Sequence, residues 1–499
     1  MVLRPVLSCV RAPRASSSSI FSTITRLAMP LRAKILHPAF TQSMSSKTTP
    51  PSLRKNSDPD DVLVGSTYGM RTIELNRPAK HNSLNESMIR KIVPRLQEWE
   101  KSQLANLIVI KGAGEKAFCA GGDVAALAEK CMKGPEGVTE AIKFFALEYR
   151  LNHLIATYSK PYVAIMDGVT MGGGVGLSVH APFRIATERT LFAMPETKIG
   201  FFPDVGGSFF LPRLDGYLGT YLALTSAPLK GVHTLYAGIA THYLHSSSLP
   251  DLEQRLSELS FADNASITER NSIVNATIEE FVTGLPPNEP FVLSGDLRRR
   301  IDRCFSHSTV PEILAALTAD GSPWALETIS AINARSPTAV HVALQQMRVG
   351  REWTIEHTFQ REYHIAAHFM RHADFVNGVS SLLIRKDKVP PAWNPATVGD
   401  VKQEDVNAFF NPPVGARKLD MFKQGAPDFK NYPHAFGLPS EEGLGRMVKR
   451  GRYTLRELVD KVVDEWDGKE GVKQKVVDVV ERRCGKDVNG YLTWDGRED

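Results

Sequence analysis

Met171-Gly172-Gly173-Gly174-Val175-Gly176 is the stretch that decides the fold. It follows the short apolar run Tyr162-Val163-Ala164-Ile165-Met166, which reads as a strand, and it leads into a helix start. Glycines at such a junction let a bare backbone N–H approach a ligand with no Cβ in the way. N–H groups at a helix N-terminus also favour negative charge. Upstream, Phe118-Cys119-Ala120-Gly121-Gly122-Asp123 repeats the arrangement after the buried-strand run Leu107-Ile108-Val109-Ile110. Two such donors converging on one oxygen make an oxyanion hole, suited to a thioester carbonyl that gains charge when attacked. Either turn alone reads as an ordinary glycine turn. The pair carries the reading.

Working outward, Val62-Leu63-Val64 and residues 70–75 are β-type runs with Gly65 and Gly69 between them, a hairpin signal. Ser83 reads as an N-cap, followed by Met88, Ile89, Ile92, Val93, Leu96 and Trp99 at helical spacing. A helix from about Val124, a longer one over about 139–158, and short strands at 183–186 and 191–193 continue the alternation. Strand–helix alternation through about residue 270 predicts an α/β core, and helical periodicity over about 313–384 predicts a mostly α part after it. Beyond Pro390-Pro391 the composition shifts: Asn411-Pro412-Pro413, Gly425-Ala426-Pro427 and Gly437-Leu438-Pro439 break any long element. Leu455, Leu458, Val459, Val462 and Val463, then Val472, Val476, Val477 and Val480, form amphipathic stripes of a small helical extension. The expected divisions are a leader over 1–45, a linker over 46–61, the core over 62–270, a helical part over 271–397 and the extension over 398–499.

The first acidic residue is Asp58, after nine basic residues and the serine run 16–19. An arginine- and serine-rich, acid-poor leader has the form of a mitochondrial import signal, which predicts the matrix. The chain ends Gly-Arg-Glu-Asp, not Ser-Lys-Leu. The net charge of +5 is mild and says little about the core's partners. Five cysteines without CxxC pairing fit a reduced compartment with neither a disulfide framework nor a zinc knuckle. Residues 162–183 are apolar but carry Asp167, His180, Pro182 and several glycines, wrong for a spanning helix, so no membrane insertion is expected.

Asn76-Arg77-Pro78, Ala120-Gly121-Gly122-Asp123, the 172–174 triplet and Met194-Pro195-Glu196 occur in that order. Phe202-Pro203-Asp204-Val205-Gly206-Gly207 and Leu211-Pro212-Arg213-Leu214 follow. Together these motifs resemble the crotonase (enoyl-CoA hydratase/isomerase) superfamily. Residues 344–348 and 374–388 resemble the helical part of one branch, the 3-hydroxyisobutyryl-CoA hydrolases. The resemblance covers roughly residues 62–397. It implies a ClpP-like spiral of ββα turns with a mostly helical C-terminal part, and an acyl-CoA substrate whose coenzyme A is no separate cofactor. No metal is implied, and the oligomeric state stays open.

Hydratases of this superfamily place a glutamate two residues after the glycine triplet, paired with that of the Pro-Glu motif. Here the first position is Gly176, so only Glu196 remains, while Asp204 stands where hydratases usually have glycine. Adding water across a double bond needs two carboxylates on one water, so a hydratase is disfavoured. The resemblance implies that Gly122 and Gly173 N–H groups hold the thioester oxygen and that Glu148 lines the substrate pocket. Glu196 would activate water, or attack the carbonyl itself to form an anhydride. Asp204 would orient the substrate hydroxyl or assist proton transfer. The implied activity is hydrolysis of 3-hydroxyisobutyryl-CoA in valine catabolism. Some fungal relatives of this branch resemble components of the mitochondrial small ribosomal subunit, with the basic leader and residues 398–499 as candidate RNA and protein contacts. No aromatic–basic interleaving supports an RNA module.

Other signals are weaker. Gly112-Ala113-Gly114-Glu115-Lys116-Ala117 fits a dinucleotide fingerprint, but no helix opens directly after it. His364, His368 and His372 recur every four residues, and a packed or solvated helix face explains them better than a metal. Ser178 and His180 are two apart on a helix and diverge. Cys119 reads as a small buried side chain. Without the resemblance, Glu148 reads as a surface residue and Asp204 as an N-cap of a helix starting near Val205.

Overall fold

A computed structural model describes residues 60–495 apart from Asn288, Pro413 and Val414. The leader expected over 1–45, and nearly all of the linker, lie outside the described residues. From Asp58 onward the chain forms one compact unit.

Strands β1 (Val62–Thr67) and β2 (Met70–Leu75) pair antiparallel around Tyr68-Gly69. Strands β3 (Leu107–Gly112), β5 (Tyr162–Met166), β7 (Phe183–Ala186) and β10 (His242–Tyr243) add in parallel, giving the order β1-β2-β3-β5-β7-β10. A second sheet runs β4-β6-β8-β9, from Ala117–Cys119, Val169–Met171, Leu191–Ala193 and Leu229–Lys230, and its first three strands are parallel. Each turn of the chain thus places one strand in each sheet, as β3/β4, β5/β6 and β7/β8, before helices intervene. This is the spiral of ββα turns implied by the resemblance.

Both faces of the large sheet are buried. Leu107, Val109, Val163, Ile165, Phe183 and Ile185 face a cluster with Leu252, Val274 and Ile278, while Ile108, Ile110, Ala164 and Met166 face the main core. Two buried faces explain why these strands read as continuous apolar runs rather than alternating ones.

Helix α1 (Glu86–Lys101) is capped by Asn85, whose side chain accepts from the Met88 N–H at 2.8 Å. Ser83, expected as the cap, instead donates its hydroxyl to the Lys80 carbonyl. The helix starts later because Leu84 is held as a β-bridge to Gly122. Its N–H donates to Gly121 O at 2.8 Å and its carbonyl accepts from Asp123 N–H at 2.9 Å. That bridge fixes the first glycine turn.

Helices α2 (Val124–Cys131) and α3 (Pro135–Ala156) follow β4, and α4 (Gly173–Ser178) follows β6. The helical part includes α5 (Pro337–Val349) and α6 (Ile355–Phe369), capped by Ser336 and Thr354. Residue 270, the expected end of the core, falls inside the helix Ile267–Glu279.

The extension contributes α7 (Gln403–Phe410), α8 (Glu441–Arg450), α9 (Leu455–Glu465) and α10 (Val472–Arg483). Leu458, Val459 and Val462 of α9 meet Val472, Val476 and Val480 of α10, with Leu444 and Val448 of α8, in a small core of their own. Buried charge fastens this unit to the rest. Lys475 pairs with Asp215, and Glu441 pairs with Arg482 and Arg483 beside Asp302 and Arg298. Breaking such a buried pair by removing one partner costs about 3–5 kcal/mol. The histidine row packs rather than ligates: His368 lies 4.0 Å, centroid to centroid, from Phe409 of α7. Among the described residues no group of three or more His, Cys, Asp or Glu is placed to hold a metal. No helix among them is long and apolar enough to cross a membrane.

Candidate active site

The second sheet assembles the site. Cys119 of β4 aligns with Thr170 of β6, and Met171 of β6 with Ala193 of β8. Three parallel strands ending in register set the turns after them side by side, at Gly121-Gly122, Gly172-Gly173 and Pro195-Glu196. A methyl built on Gly173 would stand 3.2 Å from the Gly122 nitrogen and 2.5 Å from Glu148 Oε1. One built on Gly172, which has a φ of +44°, would stand 3.0 Å from Glu196 Oε1. Both positions need glycine: the turns, and the two carboxylates against them, approach too closely for a Cβ. Among the described residues the Gly122 and Gly173 N–H groups donate to no backbone or side-chain acceptor.

Four carboxyl groups are buried around this junction. Glu148 of α3 is 2 % exposed, Glu196 5 %, Asp204 4 % and Glu362 of α6 0 %. Glu148 is therefore not the surface residue that its helical setting alone suggested. Asp204 does not cap a helix with its side chain; it accepts from the Tyr149 hydroxyl at 2.7 Å. Among the described residues Glu148 Oε1 and Glu196 Oε2 have no hydrogen-bond partner, so each keeps an acceptor free for a ligand. Burial, reinforced by the Asp204 charge, pushes Glu148 and Glu196 well above the ordinary carboxyl range. Burial lifts Asp204 to about 7 against the opposing Tyr149 hydrogen bond, and Glu362 to about 8 against two backbone donors. The cluster resists full ionisation, and negative charge is best held at Asp204, which has a hydroxyl donor.

The loop that carries Asp204 is clamped from several elements. Glu362 accepts from the Gly206 N–H at 2.7 Å and the Ser208 N–H at 2.9 Å. Gln346 of α5 donates to the Pro203 carbonyl and the Ser208 hydroxyl. His180 lies at 2.8 Å from the Val205 carbonyl. Val205 has a φ of +53°, a costly conformation for a β-branched residue, and persists because its surroundings over-determine it.

Tyr149, Asn152, His180, Gln346 and Glu362 were not singled out for these roles from sequence. Three carry a signal in retrospect, as polar residues on the buried stripe of a helix. Glu362 lies among Phe359, Ala366 and Phe369 on α6, and Asn152 one turn after Glu148 on α3. Gln346 lies among Val342, Ala343 and Met347 on α5. Asn152 also explains Gly176. A Cβ at Gly176 would stand 2.7 Å from Val205 Cβ and 2.8 Å from Asn152 Nδ2. The direction in which a residue at 176 would project is already filled, and among the described residues both polar atoms of the Asn152 amide lack a partner.

The competing nucleophiles do not assemble. Burial pushes the Cys119 thiol up to about 12. Ser178 donates its hydroxyl back to the Gly174 carbonyl at 2.8 Å, away from His180. A cleft of about 910 Å³ between core and extension is lined by Arg213, Asp215, Glu441 and Arg446, remote in character from the carboxyl cluster. Most of its charges are already paired with one another.

Comparison with known proteins matches residues 70–410 to the family described as Enoyl-CoA hydratase/isomerase. A small ribosomal subunit protein mS47 from Neurospora crassa is 52% identical over 91% of this chain and 92% of its own. The mitochondrial 3-hydroxyisobutyryl-CoA hydrolases of Gallus gallus and Homo sapiens are 46% and 44% identical, each over 70% of this chain and 89% and 88% of their own. Among solved structures, a carnitinyl-CoA dehydratase from Mycobacterium thermoresistibile aligns with a TM-score of 0.65 at 36% identity, covering 73% of this chain and all of its own. An enoyl-CoA hydratase from Rhodobacter sphaeroides aligns at 0.62 and 34%, over 71% of this chain and 98% of its own.

Proposed function

The chain belongs to the enoyl-CoA hydratase/isomerase family, and on that premise we propose that it hydrolyses the thioester of 3-hydroxyisobutyryl-CoA and related 3-hydroxyacyl-CoA esters in mitochondria. The observation that carries this reading is the pairing of Glu196 with Asp204 around two unspent glycine N–H groups, with the second hydratase position closed by Asn152 and Val205. The names of the 42–46% identical hydrolases support the same substrate class.

The reaction follows from these groups. The Gly122 and Gly173 N–H groups donate to the thioester oxygen and hold the charge that builds on it. Glu196, whose raised proton affinity suits a general base in the molecules where it is ionised, takes a proton from water as the hydroxide adds to the carbonyl carbon. The C–S bond then breaks, and the CoA thiolate leaves and takes up a proton. In the alternative course the Glu196 carboxylate itself adds, the C–S bond breaks as the CoA thiolate leaves and takes up a proton, and water opens the resulting anhydride to free acid and the restored Glu196 carboxylate. Asp204, fixed by Tyr149, faces the acyl portion and receives its hydroxyl. The reading calls for no cofactor beyond the CoA of the substrate.

The test is to offer the purified protein 3-hydroxyisobutyryl-CoA and crotonyl-CoA in parallel. Thiol release from the first, without water addition to the second, is the expected result. Hydration of crotonyl-CoA with no thiol release would replace this reading with that of a hydratase.

A second reading is association with the mitochondrial small ribosomal subunit. A match over 91% of the chain has to take in more than half of residues 398–499, whereas the family match ends at residue 410. Sedimentation of mitochondrial lysate tests it: co-migration with the small subunit supports it, and absence from that peak at low salt removes it.

A further inference from the structure

Tyr432 belongs to the extension, outside the segment matched to the family, yet its side chain reaches the loop that carries Asp204. Its hydroxyl lies 2.7 Å from His180 Nδ1, and His180 Nε2 lies 2.8 Å from the Val205 carbonyl oxygen. A carbonyl only accepts, so Nε2 carries the imidazole proton. Nδ1 is then unprotonated and accepts from the Tyr432 hydroxyl. The order of donation is fixed from Tyr432 to His180 to Val205, one residue after Asp204.

Packing follows the same path. The His180 ring closes on Gly206, which has a φ of +86° and no room for a Cβ. The Tyr432 ring meets Phe209 edge-on at 4.9 Å, with Phe429 and His434 on either side of it in sequence and also in ring contact. Val205 needs an external hold because its positive φ is intrinsically unfavourable. Two of the clamps on this loop, Gln346 and Glu362, come from the helical part within the family match. The third comes through His180 from the extension.

We propose that Tyr432 is a positioning residue that, acting through His180, holds the loop bearing Asp204 in its reactive geometry, so that the extension completes the active site. The role of Asp204 in this statement rests on the hydrolase reading; the holding of the loop does not.

The experiment uses the full chain and three variants, Tyr432→Phe, His180→Gln and the double variant, read by steady-state thiol release and by hydrogen exchange. Tyr432→Phe keeps the ring packing and removes only the hydroxyl. The expected result is a fall in kcat of about 5-fold with KM within about 2-fold, since one lost charge-neutral hydrogen bond is worth about 1 kcal/mol and a factor of ten is about 1.4 kcal/mol. Exchange at the amides of residues 205–209 should quicken while residues 455–483 stay protected. In the His180→Gln background, Tyr432→Phe should lower kcat no further, because the tyrosine acts only through that imidazole. Unchanged kcat in Tyr432→Phe overturns the proposal, as does additive loss in the double variant. If His180→Gln does not fold, the single Tyr432→Phe variant decides. A wild-type chain that releases no thiol removes the hydrolase reading, and unquickened loop exchange in Tyr432→Phe would then separately remove the hold.

Discussion

A carboxylate at position 176 would have to enter space held by Asn152 and Val205, whose atoms lie 2.7–2.9 Å from the nearest place a Cβ can go. Restoring the hydratase pattern with Gly176→Glu should therefore not restore hydration. It should destabilise the fold, and overpacking of this kind costs about 1–3 kcal/mol; a lowered melting temperature with no crotonyl-CoA hydration is the expected pair of readings. At Gly173 a smaller change suffices. Gly173→Ala places a methyl against Glu148 Oε1 and the Gly122 N–H, so thiol release should fall about 100-fold or more, the scale seen when an oxyanion donor is lost, with a lowered melting temperature as the crowded turn and Glu148 shift. Position 176 was legible in sequence as a missing carboxylate. That the vacancy is filled from α3 was not, because Asn152 reaches it only through the packing of two helices.

At the scale of elements, the second sheet explains why motifs spread over residues 117–196 form one site: parallel strands ending in register bring their following turns together. Strand and helix periodicity made this half of the fold readable, and the motif order made the spiral readable. The start of α1 was displaced because a tertiary bridge from Leu84 to Gly122 outcompeted the local capping signal of Ser83. The clamps on the Asp204 loop were hidden for a related reason, since Gln346 and Glu362 lie on distant helices and only the fold brings them near. Those clamps have a pH signature. Asp204 and Glu362 hold their protons in the fold up to about 7 and about 8, against ordinary values of 3.8 and 4.5. Each of these two groups binds its proton more tightly in the fold than in the unfolded chain, so its own contribution to stability falls as pH rises from about 5 to 8. Buried histidines such as His153 and His180, held down to about 4, contribute in the opposite sense below about pH 6.5. The Glu362 share is isolated by difference: the melting temperature of Glu362→Gln minus that of the wild type should rise from about pH 5 to 8. A difference that stays constant or falls over that window would contradict the assigned burial.

For the whole molecule, charge and the extension set the partners. The nine basic residues before Asp58 account for more than the whole net charge of +5, leaving residues 58–499 at −4. Residues 398–499 carry 18 basic and 19 acidic side chains, many paired with each other or with the core. A body of this charge neutralises few phosphates, so any association with the small ribosomal subunit should run through protein contacts. It should survive a rise from 50 to 200 mM salt that weakens a protein making six to ten phosphate contacts by about 10³-fold or more. Loss of co-sedimentation over that range would point instead to RNA contact through basic residues. The extension's helices were legible from their valine and leucine stripes, whereas the reach of Tyr432 into the core was not, since an isolated tyrosine among turn residues carries no local signal. The central claim remains that Glu196 turns a bound thioester into acid and thiol. The most direct measurement is thiol release from 3-hydroxyisobutyryl-CoA by the wild-type chain and by Glu196→Gln, which keeps the shape and removes the base. The account predicts turnover by the wild type and a loss of about 100-fold or more in the variant, with KM little changed; equal rates in the two proteins would contradict it.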